Sequence, residues 1–78
     1  MIKTNQKFIP ISISTKISLY KISSMIIGKN MNDALNIYPS IRIVINNGEY
    51  LPIVRYLDAD RINVEVDNGK IIKIIGYY

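Results

Sequence analysis

Apolar and polar residues interleave over KFIPISISTKISLY, residues 7–20. Ile9, Ile11, Ile13, Ile17 and Leu19 lie among Pro10, Ser12, Ser14, Lys16 and Ser18. A period of two with one wet face predicts a β-arm, either one long strand or a hairpin bent near Ser14-Thr15. Pro10 has no N–H to give to a ladder, which places the arm at a sheet edge. An exposed apolar edge of this kind invites pairing, so the arm is expected to cover the sheet or to join two copies of the chain in a homodimer.

The rhythm then changes. Asn30 opens NMNDALNIYP as an N-cap, Asp33 follows as its capping-box partner, and Met31, Ala34 or Leu35, and Tyr38 fall on one helical face. Pro39 ends this two-turn helix, because the residue before a proline is driven out of α space. IRIVIN (41–46) reads as a strand with Ile41, Ile43 and Ile45 on one face, and Asn46-Asn47-Gly48 reads as a turn with no regular strand after it. RINVEVD (61–67) alternates cleanly, with Ile62, Val64 and Val66 opposite Arg61, Asn63 and Glu65. Asn68-Gly69 is a type I′ hairpin signal, and KIIKII (70–75) returns as a strand.

Length and composition narrow the chemistry. Seventy-eight residues make one small domain, and the chain has no cysteine and no histidine, so neither a disulfide nor a zinc site stabilises it. Stability must come from burying aliphatic surface, in which isoleucine predominates. The net charge of +4 is uneven: Lys3, Lys7, Lys16, Lys21 and Lys29 precede residue 30 with no acid among them, and five cations face six acids in the remainder. A basic arm and the tyrosines Tyr20, Tyr38, Tyr50, Tyr56, Tyr77 and Tyr78 offer nucleic acid a surface. The tyrosines are scattered, however, and no basic residues interleave with them on one strand, so a solvated arm is the stronger expectation. No run of residues reaches membrane-spanning length, and lysines interrupt the only apolar stretch that a signal peptide would need. The default location is therefore the cytoplasm.

No catalytic constellation is assembled. Asp58 and Asp60 resemble the first two ligands of a calcium loop, but Ile62 stands at the third ligand position and no glycine stands at the sixth. Gly28-Lys29 and Gly69-Lys70 lack the upstream glycine and the following hydroxyl residue of a phosphate loop. The chain is expected to be no enzyme and to take no metal or cofactor. What remains is the stretch from Gly48 to Asp60, which is long for a connection and too apolar to be disordered. An ordered, apolar, exposed loop around one arginine suits presentation to another protein's cleft; the plainer reading is a buried connector or an irregular strand.

From Ile26 to Ile75 the chain resembles the small serine-protease inhibitors of the potato inhibitor I type, and still more their microbial relatives in the elastase-inhibitor family. The resemblance rests on Ile27-Gly28-Lys29 before a short helix (Asn30 to Tyr38), a strand ending near a glycine (Ile41 to Gly48), and the run Asp60-Arg61-Ile62-Asn63-Val64-Glu65-Val66-Asp67 with Gly69 and Ile71. Val54 stands where that family has a threonine and Tyr56 where it has an acid; the loop is about two residues longer than the family norm, and the family's frequent cysteine pair is absent. Aligned back from Arg61, the primary specificity residue is Arg55; aligned forward from Gly48, it is Ile53.

The resemblance implies an α+β fold: a small mixed sheet with one short helix packed on it and a long exposed binding loop. The inhibitor-like domain would be residues 26–78, preceded by a basic arm, residues 1–25. It implies that the strands at 41–46 and 61–67 pair in parallel, and that residues 48–60 bind a trypsin-like or subtilisin-like serine protease as a substrate would. The reactive residues are then Pro52, Ile53, Val54, Arg55, Tyr56 and Leu57, with Arg55-Tyr56 as the scissile bond. Arg61 and Asn63 would brace the loop from beneath. The alternatives are a non-inhibitory protein-binding module of the same fold and a small basic nucleic-acid-binding β protein.

Overall fold

A computed structural model describes the backbone of residues 11–53 and 57–78, with side chains from Ser18 onward. Its order is α1 (Ile11–Ile26), α2 (Met31–Ile37), β1 (Ile41–Asn46), β2 (Glu49–Tyr50), β3 (Ile62–Asp67) and β4 (Lys70–Tyr77). The strands form one mixed sheet ordered β2-β1-β3-β4, in which β1 and β3 run parallel and the other neighbours antiparallel. This is a small α+β fold.

The α2 cap forms as its sequence predicts. Asn30 is extended, and its Oδ1 accepts the Asp33 N–H at 2.9 Å. The reciprocal contact is between side chains, Asn30 Nδ2 to Asp33 Oδ2 at 3.4 Å. Ala34 is fully buried and Met31 half-buried, whereas Leu35 stays exposed. The turn at Asn68-Gly69 has both residues at positive φ, as a type I′ hairpin requires, and β4 returns antiparallel to β3. Asn47-Gly48 repeats that geometry. A two-residue strand follows it after all: β2 pairs back on β1, with Tyr50 opposite Ile45.

The expected β-arm is corrected. Residues 11–26 are a 16-residue helix, not an edge strand; Ile9 and Pro10 lie outside the described residues. The reason is visible at its C-terminal half. Leu19, Ile22, Ser23 and Ile26 recur at helical spacing and face inward, with Leu19, Ser23 and Ile26 buried. Leu19 and Ile26 join Ala34 of α2 and Ile62, Val64, Val66 and Ile71 of the sheet in one core. For residues 11–19, the exposed edge that suggested a homodimer is absent. Gly28 takes a positive φ just past α1, the left-handed step that ends many helices, and Lys29 N–H bonds back to the Ile26 carbonyl at 3.0 Å. The connection to α2 is pinned on β4 by Gly28 N–H to Ile71 O at 2.7 Å and Ile71 N–H to Lys29 O at 2.9 Å.

The strand β1 also departs from simple alternation. An irregularity between Ile43 and Ile45 shifts the β1–β3 register, and Val44 and Ile45 are both buried. The register places Arg42 level with Asn63.

Candidate functional site

Two parallel neighbours in a sheet need a long crossover, usually a helix. Here the stretch from Asn47 to Arg61 does this work, and among its described residues the only regular piece is the two-residue β2. Its outgoing limb stays tied to β1 by Leu51 N–H to Val44 O at 2.9 Å. Beyond that bond Pro52 and Ile53 are exposed, as is Tyr50 before it at 80 %. Val54, Arg55 and Tyr56 lie outside the described residues, so the expected scissile bond does too. Leu57, on the far side, is 84 % exposed.

The return limb is anchored tightly. Asp58 Oδ1 accepts the Asp60 N–H and the Asp58 carbonyl accepts the Arg61 N–H, both at 3.0 Å, which closes a turn. The Tyr38 hydroxyl donates to the Asp60 carbonyl, and Ile62 N–H reaches Ser40 O at 2.9 Å. Tyr38 has its phenol pKa raised above the ordinary tyrosine value, first by desolvation and then by the nearby Asp60 and Asp58 charges. Asp58 therefore shapes a turn, and among the described residues no group of three or more acids, histidines or cysteines could hold a metal ion.

Arg61 and Asn63 come together at the base of this limb. Asn63 is completely buried. Its Oδ1 accepts from Arg42 Nε at 2.7 Å, and its Nδ2 donates to the Gly76 and Tyr78 main-chain oxygens, both at 3.3 Å. Arg61 gives Nε and Nη2 to the same Tyr78 oxygen at 3.1 and 2.8 Å, and Arg42 Nη2 adds a third guanidinium contact at 3.1 Å. Several donors thus converge on one main-chain oxygen, which is attractive because two of the residues supplying them are cationic. The Arg42 guanidinium also sits 5.6 Å from the Tyr78 ring centroid.

Reasoning from sequence missed Arg42, Tyr78 and Tyr38. Arg42 had a usable signal: parallel pairing of the two alternating strands brings the polar residue between Ile41 and Ile43 level with the one between Ile62 and Val64. Tyr78 had none, because the β3–β4 register depends on two irregularities, between Asn63 and Val64 and between Glu65 and Val66.

No helix among the described residues is long and apolar enough to cross a membrane. Comparison with family models, with curated proteins and with solved structures found no match.

Proposed function

We propose that this chain is a reversible serine protease inhibitor of the potato inhibitor I type, presenting residues 48–60 to the protease cleft as a substrate. The observation that carries this reading is the contrast along the loop. Both limbs are fastened to the sheet by main-chain bonds, while Tyr50, Ile53 and Leu57 hold large apolar surfaces in water. A loop fixed at both ends loses little entropy on binding. After attack on the scissile carbonyl, the same fastening keeps the leaving amine beside the acyl-enzyme, so religation competes with hydrolysis.

Arg55 fills the primary pocket in this reading and Arg55-Tyr56 is the bond presented. Inhibition is measured against trypsin-like, elastase-like and subtilisin-like proteases, for the parent and for Arg55→Ala. A trypsin-like enzyme should be inhibited best, and loss of the central anchor should weaken binding by about 2 kcal/mol or more, roughly thirtyfold. Elastase-like inhibition untouched by the substitution would move the register to Ile53 or Val54. Absence of inhibition across the panel would refute the proposal in favour of a non-inhibitory binding module.

A further inference from the structure

We propose that Ser23 of α1 and Tyr77 of β4 are positioning residues that couple the N-terminal helix to the return limb of the loop, an inference that rests on the inhibitor reading for its functional meaning. The helix lies almost wholly outside the stretch that resembles the inhibitor families. Yet its buried side meets the strand end on which the loop base depends. Ser23 Oγ lies 2.7 Å from the Leu19 carbonyl and 2.8 Å from the Tyr77 hydroxyl. A serine hydroxyl has one proton, and the Leu19 carbonyl can only accept, so Tyr77 must donate to Ser23. Tyr20 closes on the same ring edge-to-face, with centroids 5.6 Å apart at 62°.

Tyr77 is therefore held by α1 on one side and, through the sheet, by Ile62 on the other. Its neighbour Tyr78 carries the oxygen on which Arg42, Arg61 and Asn63 converge. The Tyr78 ring folds back over Gly76, where a Cβ would come within 2.9 Å of it. Any side chain at residue 76 would crowd that ring. The helix also approaches the limb directly: Leu19, Tyr20 and Tyr77 line a cleft of about 180 Å³ with Ala59, inside the Asp58–Asp60 turn. The chain of contacts runs from Ser23 to Tyr77, along the backbone to Tyr78, and through Arg61 and Asn63 to the start of β3. Moving the helix end of this chain loosens the loop end.

The test is residue-resolved amide exchange on the full chain for Tyr77→Phe, Ser23→Ala and the double variant. Tyr77→Phe keeps the ring and removes only the donor, so the fold survives. Asp60 and Arg61 amides, whose acceptors lie in the Asp58 turn, should exchange about threefold faster or more, the scale of one net hydrogen bond. Val64 and Val66 amides should speed up less, by no more than the loss of global stability measured in urea. Ser23→Ala should have at least the effect of Tyr77→Phe, because it also removes the Leu19 bond and leaves the Tyr77 hydroxyl without its acceptor, and the double variant should do no more than Ser23→Ala. Unchanged exchange at Asp60 and Arg61, or equal acceleration at every amide, overturns the coupling. This readout uses no protease, so failure of the inhibitor reading is seen separately, as a parent that inhibits nothing. If the parent inhibits, Tyr77→Phe should also be nicked faster by the inhibited protease than the parent is.

Discussion

Replacing Asn63 by alanine should destabilise the protein far more than replacing Arg61, although the two residues share a strand face. Asn63 is fully buried and its partners are half-buried, so water only partly replaces the bonds that its loss breaks. The largest loss is the acceptor for Arg42 Nε at 2.7 Å; a bond to a charged group is worth about 1.5–3 kcal/mol. The two donations to the Gly76 and Tyr78 oxygens are long, 3.3 Å each, and together add about 1 kcal/mol. The Tyr78 oxygen keeps its guanidinium donors, whereas the Gly76 oxygen loses its bond to the amide. The sum is about 2.5–4 kcal/mol, a large share of the roughly 4–12 kcal/mol expected for a domain of this size. Arg61 is only half-buried, and the Tyr78 oxygen that it contacts retains Arg42 and Asn63, so Arg61→Ala should cost about 1 kcal/mol. Urea unfolding followed by circular dichroism measures both. With a slope near 1 kcal/mol per molar for a small domain, Asn63→Ala should lower the midpoint by about 3 M and Arg61→Ala by about 1 M. An Asn63→Ala loss below about 1 kcal/mol, or an Arg61→Ala loss that exceeds it, would show that the buried amide does not organise this cluster.

Two further outcomes follow from other parts of the fold. Ile26→Ala should cost about 2–5 kcal/mol by opening a cavity where α1 meets the sheet; a loss below about 1 kcal/mol in the same urea experiment would mean that the helix is not docked. Tyr38 donates its proton to the Asp60 carbonyl and has a raised pKa in the folded state, so its contribution is complete below the unfolded tyrosine value and is lost as pH rises through the folded one. Stability measured from neutral pH into the alkaline range should fall more steeply for the parent than for Tyr38→Phe, and identical slopes would contradict the assigned bond.

Much of this molecule is written locally in its sequence. Asn30 and Asp33 cap α2, Asn68-Gly69 makes the hairpin, and the alternation of Ile62, Val64 and Val66 sets the buried face of β3; in each case neighbours a few residues apart supply the interaction. The loop's length and apolar character were legible for the same reason. Residues 11–26 were not. Their isoleucines alternate as a strand would, and isoleucine favours strands, but the helical spacing of Leu19, Ile22, Ser23 and Ile26 coexists with that pattern. Only the presence of α2 and the sheet, which bury that helical stripe, decides between the two periods. Asn63 shows the same limit. A polar residue between Ile62 and Val64 reads as a wet strand face, yet Arg42 from β1 and the oxygens of Gly76 and Tyr78 from β4 surround it. Burying an amide is favourable only when distant strands bring partners to all of its polar atoms, and strand register in three dimensions determines whether they do.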